Sequence, residues 1–163
     1  MDWYVRAFLK SSLAWLGAGV TLGLAMAVWP GLVVYRPAHV HFNLLGFVAM
    51  MIFGVGYQML PRMAGHPLRY PALAKAHWVL ANLGLLLLGV GFALAPHGRP
   101  GLALALRATG GVCAAAGAYL FIYNVWRSIN AGTVRRERLE AERSRRAEWE
   151  PAPRRELPVL QEQ

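Results

Sequence analysis

Acidic side chains are almost missing from most of this chain. Of the eight Asp and Glu residues in 163 positions, seven lie after Thr133, so residues 1–133 contain one acid, Asp2, against nine Lys and Arg. Membrane pumps relay protons through acids buried in their spans, and this part of the chain offers none. Residues 1–133 and 134–163 therefore differ in composition and are expected to differ in structure.

Cysteine is also scarce. Cys113 is the one cysteine and lies in an Ala- and Gly-rich stretch, so it forms no intrachain disulfide and by itself no thiolate metal site. We interpret it as a packing residue. The chain has no Cys-x-x-Cys-His motif for attached heme, no His-His pair and no phosphate-binding glycine loop. These absences argue against a complete pump or oxidase.

Apolar residues are abundant. The chain is 56% hydrophobic and 15% charged, too apolar for one soluble core. Four stretches are long enough to cross a bilayer, and Pro30, Pro61 and Pro96 are expected to end the first three. The predicted spans cover about 11–29, 39–60, 73–95 and 103–126. The predicted fold is an all-α integral membrane bundle of four transmembrane helices, residues 1–133, with a charged C-terminal cytoplasmic extension, residues 134–163.

Basic residues lie where the apolar stretches end. They precede the first span, separate the second from the third and follow the fourth: Arg6, Lys10, Arg62, Arg69, Lys75, Arg127, Arg135, Arg136 and Arg138. The positive-inside rule then predicts cytoplasmic N- and C-termini in a bacterial-type inner (plasma) membrane. This placement favours membrane lipid over nucleic acid as the partner of the basic groups.

The tail combines Arg and Glu with little apolar periodicity. We expect a solvated helical extension from Val134 to about Trp149, and disorder after Pro151. Contact with anionic headgroups is the alternative, which the arginines favour and the glutamates oppose.

Small residues recur at intervals of four in two predicted spans. Gly19 and Gly23 lie in the first, and Gly110, Ala114 and Ala118 in the last. Such rows allow helices to approach closely. They predict a compact bundle and would also suit a homo-oligomer.

Histidines supply the main candidates for a functional site. His39 and His41 open the second predicted span, His77 lies near the start of the third, and His66 and His97 fall in loops. Ionisable residues at membrane depth are functional-site hypotheses by default, and neutral imidazole binds both metals and heme. The alternative is an interfacial histidine that is hydrogen-bonded to nearby carbonyls.

Helix geometry limits how these histidines combine. His41 and His77 should lie at opposite ends of the bundle, roughly 20 Å apart, so one heme iron cannot bind both within a monomer. They belong to separate sites, or the second ligand at the outer site comes from His97, a methionine, water or another protomer.

His39 and His41 point about 200° apart on a helix. Both can bind one metal only if the helix begins after His39, a late start that Pro37 would permit. Arg36, Arg99 and the first-turn amides would then lie on the outer side, where they suit heme propionates.

The second span also carries a family resemblance. Residues 36–47 read RPAHVHFNLLGF and residues 54–62 read GVGYQMLPR. These stretches resemble the heme-copper oxidase subunit I superfamily, in particular C-type cytochrome oxidases and nitric oxide reductase large subunits. The resemblance implies that this span supplies an axial ligand to low-spin heme b near the outer face.

Two forms of the ligand motif fit. Arg36 to His39 matches Arg-x-x-His, whereas His41 to Leu44 matches His-x-Asn-Leu and slightly favours His41. The chain also resembles short four-span bacterial proteins described as subunit I-like, which share an Ala-His-Trp motif, here at His77. The second heme, the binuclear-site ligands and the many further spans of a catalytic subunit have no counterpart, so an oxidase activity of this chain alone is not expected.

Three hypotheses follow. In the first, the chain binds heme b through His41 or His39, with Arg36 as a propionate partner, and serves respiratory electron transfer or the chemistry of O2 or NO. In the second, His39, His41, His97 and nearby methionines, such as Met26 and Met50, handle copper during oxidase assembly. In the third, the chain is a cofactor-free structural subunit of a respiratory complex. Histidines that face away from the bundle interior would favour the third.

Overall fold

The computed structural model describes residues 1–149, and within them every regular element is helical. The helices are α1 (Trp3–Val28), α2 (Pro30–Met63), α3 (Pro71–Leu94) and α4 (Pro100–Trp149). A 3-10 turn at Ala95–His97 continues α3. All four helices are long and apolar enough to cross a membrane, which confirms the all-α class and the presence of four helices of that length.

Successive helices run antiparallel. Gly19 of α1 lies against Asn43 of α2, and Gly54, further along α2, lies against Phe8. The bundle therefore has a His41 end, where α1 and α3 finish, and a Tyr57 end, where α2 finishes and α3 begins.

Several helix boundaries differ from the prediction, and α2 begins at Pro30 and not near His39. α1 begins at Trp3 because its first turns also pack into the core, where Val5 and Phe8 are buried. α2 continues through Pro61 to Met63, so the prediction that this proline ends the helix is wrong. Proline removes one backbone donor, but its buried ring packs into the bundle while the helix ends two residues later.

The winding of α2 changes along its length. A 3-10 start at Pro30–Tyr35 leads into an α-helical turn at Arg36–His41, a π-helical segment at Phe42–Ala49 and an α-helix at Met50–Met63. π-Helical segments are rare in proteins, and those that occur are often found at functional sites. This one begins directly after His41.

Small residues bring α3 and α4 into backbone contact. A Cβ atom added to Gly84 would lie 2.7 Å from the Gly110 carbonyl oxygen and 2.8 Å from the Ala114 amide nitrogen. Any side chain at Gly84 would therefore force the helices apart. The predicted close packing of the Gly110 row is confirmed for this pair.

The glycine row of α1 accommodates side chains instead of backbone. A Cβ atom at Gly19 would lie 2.6 Å from Asn43 Nδ2, and one at Gly23 would lie 2.7 Å from His39 Cε1. The row therefore makes room on α1 for two polar side chains of α2.

Candidate functional site

His41 lies at one end of a groove, with its ring held on both sides. Its Nδ1 is 2.7 Å from the Pro37 carbonyl oxygen, and its ring centroid is 4.7 Å from that of Phe92 on α3. A carbonyl oxygen only accepts hydrogen bonds, so Nδ1 carries a proton, and in the neutral ring Nε2 keeps its lone pair. Ligating histidines in metal and heme proteins are oriented by the same kind of N–H to carbonyl bond.

The groove beside His41 is apolar and has a volume of about 350 Å³. It runs between α2 and α4, with α3 as its floor, and His41 contributes the one ionisable group among its walls. The other lining residues are Leu45, Ala49, Met50, Phe53, Ala81, Leu85, Leu88, Gly111, Ala114, Ala115 and Ala118. We call this site the His41 groove. Its volume lies in the ~300–1,000 Å³ range of small-molecule and cofactor pockets.

Arg107 is a charged group near this end that the sequence analysis did not select. Its guanidinium carbon lies 5.6 Å from the ring centroid of Phe92, the same ring that packs on His41. Arg107 Nε donates to the Ala103 carbonyl oxygen at 3.2 Å, and Gly91 leaves room for the side chain. A charge inside an apolar span is a functional-site hypothesis by default, and that signal could have identified Arg107 from sequence.

His39 faces another helix. Its Nδ1 donates to the Gly19 carbonyl oxygen at 2.8 Å, and Asn43 Nδ2 donates to the His39 carbonyl oxygen at 2.8 Å. The helix already begins before His39, so the late start that would let His39 and His41 share one metal is not observed. His39 is packed on α1, whereas His41 lines the groove.

Three other candidate residues at this end are exposed: Arg36, His97 and Arg99. His97 Nε2 lies 2.9 Å from the Tyr35 hydroxyl oxygen, a contact that joins the start of α2 to the turn after α3. Arg36 and Arg99 are exposed and are not among the residues that line the His41 groove.

His77 occupies a different site, at the Tyr57 end. Its side chain is 0% exposed, and its Nδ1 lies 3.1 Å from the Tyr57 hydroxyl oxygen. The rings of Phe8, Phe53 and Phe121 surround it, with centroids 4.7, 4.5 and 5.9 Å away. Since Tyr57 follows His41 by sixteen positions on one helix, the two histidine sites are on the order of 20 Å apart.

One nitrogen of His77 has no hydrogen-bond partner. Within residues 1–149, Nε2 of His77 is the one buried side-chain nitrogen or oxygen that lacks one. Because Nε2 is sealed from the surface, a heme iron cannot reach it without movement of the surrounding rings. The described structure thus contains two kinds of histidine: His41 lines an open groove, whereas His77 is enclosed.

The histidines proposed for copper have separate hydrogen-bond partners. In the part of the chain that the structure describes, no three His, Cys, Asp or Glu side chains lie close enough to hold one metal ion. Met50 is 1% exposed and belongs to the core, in agreement with a packing role.

Comparison of the chain with protein-family models, curated proteins and solved structures finds no match. The geometry of the described residues is therefore the basis for a functional proposal.

Proposed function

We propose that this chain is an integral membrane protein that binds heme b in the His41 groove, with His41 Nε2 as an axial ligand. The observation that supports it most is that His41 contributes the one imidazole among the walls of the apolar groove. Its Nδ1–H is bonded to the Pro37 carbonyl oxygen, so the lone pair on Nε2 remains for a metal. Bound heme would supply a one-electron iron centre or a site for a small gas.

The chemistry of the walls suits such a ligand. Aliphatic side chains and small residues line the groove and exclude water from a macrocycle, while a single imidazole provides the directional bond. Arg107, stacked against Phe92, supplies a positive charge for a propionate. We propose Arg107 for the role that the resemblance suggests for Arg36, because Arg107 packs on Phe92, the ring that contacts His41.

One histidine in the groove defines the expected coordination. His41 is its one imidazole, so any further ligand to a bound heme would be water, a gas molecule or a residue of another chain. This suits a role in respiratory electron transfer or in binding O2 or NO, as a homo-oligomer or as a subunit of a respiratory complex. It does not suit complete oxygen reduction by this chain alone.

The orientation follows from charge. Basic residues cluster at the Tyr57 end, so we propose that this end and both termini face the cytoplasm of a bacterial-type inner membrane. The His41 groove would then open near the outer face.

The experiment is an absorption spectrum of the detergent-purified full chain, oxidised and then dithionite-reduced, with heme and metal content measured on the same sample. We expect a Soret band and about one heme b per chain. The matched variants are His41→Ala and His39→Ala. Loss of heme only in the His41 variant supports the assignment.

Two results would contradict it. Stoichiometric copper without heme would favour metal handling, and a chain without either cofactor would favour a structural subunit. Equal heme content in the His41 variant and the wild type would remove His41 as the ligand.

A further inference from the structure

The segment between α2 and α3, residues 64–70, is fastened to the side of α4. Asn124 makes two bonds to the backbone of Tyr70: Oδ1 accepts from the amide at 3.2 Å and Nδ2 donates to the carbonyl oxygen at 2.8 Å. Ser128 Oγ accepts from the Arg69 amide at 3.0 Å. Asn124 and Ser128 are 0% and 1% exposed. Buried bonds of this kind hold the segment in one position.

The other end of the segment is held one turn further along α4. Gly132 packs on the Ala64 carbonyl group so closely that no side chain would fit there. Arg136 Nη2 donates to the Met63 carbonyl oxygen at 2.8 Å, and Arg135 Nη1 donates to the Gly65 carbonyl oxygen at 3.1 Å. The segment is therefore fixed on α4 at both ends.

This arrangement creates a basic pocket of about 470 Å³ between the segment and α4. No acidic side chain is among its lining residues. They are His66, Arg69, Arg127, Asn130, Ala131, Val134, Arg135 and Arg138. We call it the arginine pocket.

The positive potential already affects a neighbouring group. Arg69 Nε donates to the Tyr70 hydroxyl oxygen at 3.0 Å, and this bond, together with the nearby guanidinium of Arg127, lowers the pKa of Tyr70 below its ordinary value. Four guanidinium groups around one cavity repel each other, and an anion that accepts hydrogen bonds from several of them would offset that repulsion.

The position of the pocket indicates the source of the anion. It lies where α4 leaves its apolar stretch, next to Tyr123 and Trp126, which are 50% and 65% exposed. Exposed Tyr and Trp at the end of an apolar helix are typical of the headgroup level of a bilayer. Basic pockets between helices on the cytoplasmic side suit anionic headgroups.

We infer that the arginine pocket binds the phosphate of an anionic phospholipid, with Asn124 and Ser128 as positioning residues. Arg69 and Arg127 face the phosphate from the segment and from α4, and the guanidinium fork suits its oxygens. The inference rests on the proposed membrane insertion and is independent of heme binding.

The test is native mass spectrometry of the full chain, titrated with phosphatidylglycerol and, separately, with phosphatidylcholine. We expect a preference of at least roughly tenfold for the anionic lipid. Arg69→Gln with Arg127→Gln should lower that preference by roughly tenfold. Arg143→Gln with Arg145→Gln removes the same charge from an exposed part of α4 outside the pocket and should change it less than about twofold.

The arginine pocket would be overturned as the lipid site if both double variants lost the preference for anionic lipid equally. It would also be overturned if the wild type showed no such preference. Ser128→Ala keeps every charge and should lower the preference by roughly threefold, while Ser128→Thr should restore it. If lipid binding depended on charge alone, both serine variants would keep the wild-type lipid preference, and Ser128 would not be a positioning residue.

Free phosphates are distinguished by competition. Soluble glycerol phosphate at millimolar concentration should not displace the lipid from the pocket. If it displaced the lipid at a concentration equal to that of the lipid, the natural ligand would be a soluble phosphate and not a phospholipid. Flotation of proteoliposomes tests insertion separately. A chain that does not float would overturn the premise, whereas a floating chain without lipid preference would overturn the pocket alone.

Discussion

At one end of the bundle His41 lines an apolar groove, whereas at the other end His77 is enclosed by aromatic rings. Each ring has one nitrogen in a hydrogen bond, to a carbonyl for His41 and to a tyrosine hydroxyl for His77. The difference lies in the second nitrogen. Access to that nitrogen, and not depth in the bundle, distinguishes a candidate ligand from a buried core group.

The largest expected effect concerns heme retention. His41→Ala should weaken heme binding by more than roughly a hundredfold, since changes to groups that only orient a ligand already cost about 10–100-fold. His77→Ala should retain heme within about twofold. Pyridine hemochromogen assays on both purified variants measure this contrast. Heme loss in the His77 variant at unchanged helicity would reverse the comparison.

The second expected effect is on stability. His77→Ala removes a fully buried ring and should lower the free energy of unfolding by about 3 kcal/mol. The His41 side chain is half-buried. His41→Ala, measured without heme, should therefore lower the free energy of unfolding by less than about 1 kcal/mol. Denaturant titrations in detergent, followed by circular dichroism, measure both. Similar losses would show that the two sites are equally structural.

A double-mutant cycle examines the enclosed site more closely. Tyr57→Phe leaves His77 Nδ1 without a partner and should cost about 1–2 kcal/mol. Tyr57→Phe combined with His77→Phe removes both hydrogen-bonded atoms and also the unpaired Nε2. The double variant should therefore be about as stable as the wild type, or more stable. If the double variant were clearly less stable than the wild type, the polar pair would be stabilising.

The smallest expected effect concerns the charge near the groove. Arg107→Gln should weaken heme binding by roughly fivefold, because a propionate partner supports binding without bonding the iron. Arg99→Gln, which changes an exposed arginine at the same end, is the matched control and should have no effect. Heme titration of the apoprotein measures both, and a larger effect at Arg99 would move the propionate contact to the loop.

Much of the fold could be predicted because apolar length, proline and charge are local signals. They predicted four helices, but not the early start of α1 or the passage of α2 through Pro61, since packing at Val5, Phe8 and Pro61 itself decides these boundaries. The π segment of α2 has no local signal that we recognised.

The candidate site was predicted in part. The motif selected His39 and His41 together, and both rings bond a carbonyl oxygen through Nδ1. They differ because His39 packs on α1 whereas His41 lines the groove. The cage around His77 could not be predicted, because its rings come from three other positions along the chain, on α1, α2 and α4. Arg107 was identifiable as a charge within an apolar span.

The π segment after His41 determines in which direction His41 points, around the helix axis, relative to the residues of the second half of α2. Each residue of an α-helix advances the chain by about 100°, so removing one residue from Phe42–Ala49 would rotate His41 by that angle relative to Tyr57. The core around Tyr57 could remain packed while the imidazole turned away from the groove. The sequence of this segment therefore adjusts the direction of a candidate ligand independently of the rest of the bundle.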